Sequence, residues 1–199
     1  NNAGTEFGRQ HHFDSIKSHE DYINNVPVQE YEDLRPFIEK QDATRAPILT
    51  TKPVVMYNQT SGTTGRPKYI PVLQETLDSL KDTQNLFTFL QYQYCPEAYA
   101  GRILGMASPD TEDHLESGTP VGSASGHIYK SMPRLAQRKF VVPNMVFSIQ
   151  DYETKYLVIC RLALAHNDIT LLASPNPSTF HKLLELTNDN KDALIADIA

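Results

Sequence analysis

A chain of 199 residues with 40% hydrophobic content has the material for one folded unit with a true core, or for part of a larger one. Its 18 Lys and Arg against 24 Asp and Glu give a net charge of -6 with no basic block, which argues against nucleic acid and anionic membrane as partners. The longest apolar stretch, residues 156–165, is interrupted by Arg161 and falls far short of the roughly 20 residues that a bilayer requires, so no membrane span is expected.

The first residues carry neither a charged n-region nor an apolar h-region, and Cys95 and Cys160 lack the density of a secreted disulfide scaffold. A reducing, cytoplasmic setting is the expectation. Residues 1–50 read as a helical lead-in. Phe7, Phe13 and Ile16 dot its start with apolar side chains, and Ser18 is a good N-cap for a short helix ending near Asn24, before Val26-Pro27. His11 and His12 are adjacent, point in different directions and have no further ligand at metal spacing, so no metal site is expected there. Tyr31, Leu34, Phe37 and Ile38 keep helical spacing, with Pro36 expected to break or restart the helix inside the run.

Residues 51–199 read as an α/β segment. Val54, Val55 and Met56 predict a short buried strand, residues 68–72 a second one, and residues 60–68 the tip of the hairpin between them. That tip reads Thr60-Ser61-Gly62-Thr63-Thr64-Gly65-Arg66-Pro67-Lys68. Gly62 and Gly65 allow consecutive amides to turn inward as an anion-attracting nest, four residues bring hydroxyls, and Lys68 adds a flexible point charge suited to phosphate. Such residues also form ordinary turns for local reasons. The P-loop NTPase pattern fails, because Lys68 follows Pro67 and precedes Tyr69 where that motif needs Gly before the lysine and Ser or Thr after it. With both glycines, the hydroxyls and the terminal Pro-Lys in register, the stretch reads as a polyphosphate cradle.

Downstream, Leu73, Leu77, Leu80, Phe87 and Leu90 predict a helix over residues 73–92 with one buried face, whose aromatic end forms core or lines an acyl pocket. Residues 102–107 predict a strand. The acidic cluster around His114, residues 110–116, reads as a solvated loop rather than a metal site. Residues 118–126 form a second small-residue loop, including Gly122, Ser123, Ser125 and Gly126. A helix over 151–165, a strand over 169–173, a helix capped by Asn176 and a last helix over 191–198 complete an α/β unit with a largely covered sheet.

The stretch at residues 60–68 closely resembles the phosphate loop of the adenylate-forming superfamily, which includes acyl-CoA synthetases, luciferases and nonribosomal adenylation domains. Within it, the chain is similar to the auxin-responsive promoter family of acyl-acid amido synthetases and their bacterial relatives. The likeness runs through Thr5-Glu6-Phe7-Gly8, Val26-Pro27-Val28 with Tyr31-Glu32-Asp33-Leu34, Pro120-Val121-Gly122-Ser123 leading to Tyr129-Lys130-Ser131, Val142-Pro143 with Ile149-Gln150-Asp151, and Ala173-Ser174. The resemblance implies the amino-terminal part of an adenylate-forming large domain, incomplete at residue 199. It implies ATP and Mg²⁺ as cofactors, and a small carboxylic acid and an amino acid amine as substrates.

By resemblance, Thr60, Ser61, Gly62, Thr63, Thr64 and Gly65 hold the phosphates, Lys68 anchors the loop as its catalytic cation, and the loop from Gly122 to Gly126 lies near the acyl-adenylate. Plant members usually place one more residue between the hydroxyl pair and the lysine, which leaves the acceptor, amine or thiol, open. A phenylacetate-type acyl-CoA ligase and a non-catalytic nucleotide-binding module are the alternatives. The family's adenine and ribose motifs would lie beyond residue 199, so these 199 residues alone are not expected to turn over.

Overall fold

The structure is a computed structural model and describes residues 2–60 and 66–198. Three helices come first: α1 (Glu6–Gln10), α2 (His19–Asn25) and α3 (Tyr31–Thr44). The hairpin β1 (Val54–Thr60) and β2 (Lys68–Leu73) follows, then α4 (Gln74–Tyr94) and a short 3-10 turn, Pro96–Tyr99. Next are β3 (Arg102–Gly105), β4 (Asp113–His114) and β5 (Pro120–Gly122), then α5 (Ala124–Ser131), α6 (Arg134–Gln137) and α7 (Asn144–Phe147). The chain closes with α8 (Tyr152–Leu164), β6 (Ile169–Ala173), α9 (Ser178–Asp189) and α10 (Lys191–Ile198). The α/β class expected from the sequence is the one observed.

The strands form two sheets. One has the order β2-β1-β5-β4, with β1 antiparallel to β2 and parallel to β5; the other pairs β3 with β6 in parallel. The chain divides into two compact units, residues 1–77 with 111–122, and residues 78–110 with 123–199.

In the first unit, caps fix the helix starts. Thr5, wholly buried, donates its hydroxyl to the Asn2 carbonyl at 2.7 Å and accepts the Gly8 amide at 2.9 Å. Ser18 and Asp21 form a reciprocal capping box on α2, as the Ser18 reading anticipated. The expectation at Pro36 is corrected: α3 runs unbroken through it. Proline removes one helical hydrogen bond and crowds the carbonyl four residues back. Here it lies on the exposed side near the helix start, while Ile38 on the opposite side is buried against Tyr57 and Val121. Burial of that face outweighs the local loss.

The second unit has the larger core, with Phe147, Ile159, Val142 and Cys160 almost inaccessible and Leu183, Leu186 and Leu194 packed around them. Burying a side chain of this size contributes about 1.5 to 3 kcal/mol, which holds α7, α8, α9 and α10 together. Asp151 starts α8 by accepting the Thr154 amide at 2.8 Å.

Two expectations of burial are corrected. The periodic face of α4 is present in the sequence, yet only Leu77 is fully buried, while Leu80, Phe87 and Leu90 are exposed. The sheet is not largely covered either: β6 pairs with β3 alone among the described residues, and Leu172 is 56% exposed. Periodicity records which side of an element can be buried; burial itself needs a closely packed second layer, and here Phe87 and Leu172 border a cavity of about 550 Å³ instead.

Candidate functional site

The hairpin matches the expected placement. β1 and β2 register from Met56↔Val72 through Tyr57↔Pro71, Asn58↔Ile70 and Gln59↔Tyr69 to a last pair, Thr60↔Lys68. Pro71 is tolerated because β2 is an outer strand. The ladder ends at Thr60 and Lys68, where the two strands are about 5 Å apart. Ser61, Gly62, Thr63, Thr64 and Gly65 lie outside the described residues. Thr60 belongs to the last rung of the ladder, and Lys68 stands opposite it, half-buried.

The ends of β1 and β5 share one edge. β5 runs parallel to β1 with Asn58 opposite Gly122, so Thr60 and Gly122 end at the same carboxyl edge of the parallel pair. In α/β sheets this is the edge at which ligands bind.

The electrostatics of the stem favour an anion. Arg35, Arg66 and Lys68 all act on Glu32. Hydrogen bonds from Arg35 first, and then the charges of Arg35, Lys68 and Arg66, hold the Glu32 carboxyl below its ordinary range against the opposing effect of desolvation. Lys68 Nζ lies 5.5 Å from the Tyr31 ring centre, a cation-π distance.

The second loop needs correction. Residues 118–126 are not loop throughout: Pro120–Gly122 is β5, and Ser123 is the extended N-cap of α5, which contains Ser125 and Gly126 in its first turn. Ser123 Oγ accepts the Gly126 amide at 3.0 Å and shares a 3.0 Å hydrogen bond with Ser125 Oγ. Small residues suggested irregular backbone; in fact one serves as cap and one as a packing gap. A methyl at Gly126 would lie 2.5 Å from the Pro109 carbonyl carbon and closer still to Asp110 N and Ser108 O, so the missing side chain admits the 108–110 backbone across the helix start.

The acidic segment also differs from a plain loop, since Asp113 and His114 pair with β5 as a short exposed strand. Asp110 is instead engaged with Lys130 at 2.7 Å. His11 is buried against Phe7, with Nδ1 2.9 Å from the Asn25 carbonyl, a structural placement. Among the described residues no group of three or more His, Cys, Asp or Glu side chains could hold a metal ion. Of the aromatic end of α4, Phe87 borders a cavity of about 550 Å³ within the second unit, together with Ile103, Phe140 and Leu171. Phe89, Tyr92 and Tyr94 are exposed rather than core.

The family model described as the GH3 family N-terminal domain matches residues 1–199. The chain belongs to the GH3 family. This GH3 chain is 25% identical over 206 residues to the indole-3-acetic acid-amido synthetase GH3.5 of Arabidopsis thaliana, covering 99% of the chain and 34% of that protein. It is 23% identical to the jasmonoyl--L-amino acid synthetase JAR6 of Nicotiana attenuata, over 99% of the chain and 35% of the relative. Among solved structures, GH3.15 acyl acid amido synthetase aligns with a TM-score of 0.81 at 23% identity, over 99% of this chain and 35% of that one. At that identity the structural likeness speaks for the fold. The chain thus spans about a third of the length of the curated relatives it matches.

Sequence reasoning missed the support beneath the loop. Tyr31 enters the sequence reading as a periodic position and as part of the Tyr31-Glu32-Asp33-Leu34 likeness, not as a support for the hairpin, and Arg35 is not singled out. The signal was present in the spacing: Glu32 and Arg35 are three apart and Tyr31 and Arg35 four apart, so all three share one helix face.

Proposed function

We propose that this GH3 chain is the phosphate-handling part of an ATP-dependent acyl acid amido synthetase, a cytoplasmic ligase that converts a small carboxylic acid to its acyl-adenylate and passes the acyl group to an amino acid amine. The observation that carries the reading is the strand pair that ends at Thr60↔Lys68, on either side of the hydroxyl- and glycine-rich sequence, with Thr60 at the carboxyl end of the parallel pair β1–β5.

The chain's own part in the reaction is electrostatic. Amides and hydroxyls of residues 60–65 accept the negative charge that builds on the departing pyrophosphate, and Lys68 adds a fixed cation. A carboxylate needs no general base to attack phosphorus, and none is assigned. Mg²⁺ commonly binds through one or two carboxylates and the substrate's phosphates. It would neutralise phosphate charge when bound. By the family resemblance alone Gly122, Ser123 and Ser125 are assigned to the acyl-adenylate side; Gly126 is assigned to packing.

The test is ATP–pyrophosphate exchange by the full-length protein across a panel of small acids. Exchange that Lys68→Ala lowers at least about a hundredfold supports the reading, by comparison with the loss of one preorganised donor in other enzymes. Exchange untouched by that substitution removes Lys68 from the chemistry. Product formation with amino acids, and not with coenzyme A, separates the amido synthetase from an acyl-CoA ligase; a folded protein inactive on every acid identifies a binding module.

A further inference from the structure

If residues 61–65 grip a triphosphate, as the adenylation reading requires, the stems of the loop must be held, and one stem has a dedicated support. β2 is the outer strand of its sheet, so residues that turn N–H and C=O away from β1 meet no strand. At Tyr69 both groups meet a single side chain. The Tyr69 amide donates to Tyr31 Oη at 2.6 Å, and that hydroxyl donates back to the Tyr69 carbonyl at 3.2 Å.

One turn along α3, Arg35 is 7% exposed and donates Nη1 to the Pro67 carbonyl at 3.1 Å. Its Nε and Nη2 hold the two oxygens of Glu32 at 2.7 and 2.9 Å. Arg35 Cζ lies 4.8 Å from the Tyr31 ring centre, and Lys68 Nζ lies 5.5 Å from the same centre. Pro67, Lys68 and Tyr69 are consecutive, and each is met by this pair of side chains.

An Arg–Glu pair whose carboxylate stays largely in solvent adds little stability of its own. What it supplies here is a fixed position for one carbonyl, two residues beyond the loop. We propose that Tyr31 and Arg35 are positioning residues for Lys68: they act through the backbone of Pro67 and Tyr69 and set the place from which the Lys68 ammonium meets the phosphates of ATP. The inference rests on the adenylation reading and assigns to α3 a share in nucleotide affinity that the acid does not feel.

The experiment compares full-length wild type, Tyr31→Phe and Arg35→Lys. Tyr31→Phe keeps the ring and its packing but removes both hydrogen bonds to Tyr69; Arg35→Lys keeps the charge but loses the fork that reaches Glu32 and Pro67 together. Pyrophosphate exchange is measured with ATP and acid varied separately, and amide hydrogen exchange is followed in a peptide containing Tyr69. Expected in both variants is a KM for ATP raised about five- to tenfold with the KM for acid unchanged, and in Tyr31→Phe an amide exchange at Tyr69 faster by at least a similar factor. Faster amide exchange with an unmoved KM for ATP, or a fall in kcat alone, marks a merely structural contact and overturns the inference. So does a Tyr69 amide that Tyr31→Phe leaves unchanged. An active wild type with such variants leaves the adenylation reading standing, whereas a wild type without exchange on any acid overturns both.

Discussion

Gly126→Ala separates two roles for a glycine in the first turn of α5. Helix propensity alone predicts a gain, since alanine is favoured over glycine in a helix by roughly 0.5 to 1 kcal/mol. Sterics oppose it. The new methyl would stand 2.5 Å from the Pro109 carbonyl carbon, with Ser108 O and Asp110 N closer, and all three atoms are backbone. The segment cannot swing away easily, because Ser123 N donates to Pro109 O at 3.1 Å and Lys130 holds Asp110 at 2.7 Å. Relief requires a shift of several tenths of an ångström in α5 or in the 108–110 backbone, which for an overpacked site costs about 1 to 3 kcal/mol. The clash wins, leaving a net loss of about 1 to 2 kcal/mol. Amide hydrogen exchange in the full-length protein should show α5 opening about five- to thirtyfold more often, since about 1.4 kcal/mol is a factor of ten. If α5 exchanges no faster while the KM for acid rises, the glycine makes room for ligand rather than for backbone, and the packing argument is wrong.

Two further outcomes follow from the second unit. Ile159→Ala removes a wholly buried side chain from α8 and should destabilise that unit by about 2 to 5 kcal/mol in urea titrations followed by hydrogen exchange; a loss below about 1 kcal/mol would mean that the core there collapses freely. Burial pushes the Tyr129 phenol up to about 12, with its hydroxyl donating to the Val142 carbonyl at 2.7 Å. A raised folded value means that the neutral form's contribution is complete below the unfolded value near 10 and is lost as pH rises from there through about 12. Stability against urea should therefore fall across that alkaline interval in wild type and less steeply in Tyr129→Phe, which is also weaker at neutral pH because Val142 O loses its donor. Identical alkaline slopes in the two proteins would exclude Tyr129 as a source of the decline.

The hairpin was legible because its signals agree: β-formers on both sides, two glycines and a cluster of hydroxyls between them, and a lysine at the far end. The caps at Ser18 and Asp151 are equally local, and Ser18 was read from its residue type alone. What escaped depends on partners. β5 is three residues long and becomes a strand by lying between β1 and β4, so Pro120-Val121-Gly122 looks like loop when read alone. α6 and α7 have four residues each, too short to nucleate without tertiary support, and α7 is fixed by burial of Val146 and Phe147. Pro36 was overweighted because local propensity does not register the packed face opposite it. The hold of Tyr31 and Arg35 on residues 67 and 69 joins positions more than thirty apart in sequence, which no short window can reveal.

The bare flank of β6 matters at the bench. Among the described residues β6 pairs with β3 alone and Leu172 is exposed, so this flank is an edge strand on which identical molecules can stack. Anyone purifying the chain should watch for particle size that grows with concentration. A lysine at position 172 is the more promising route to a well-behaved sample than any change near the phosphate loop.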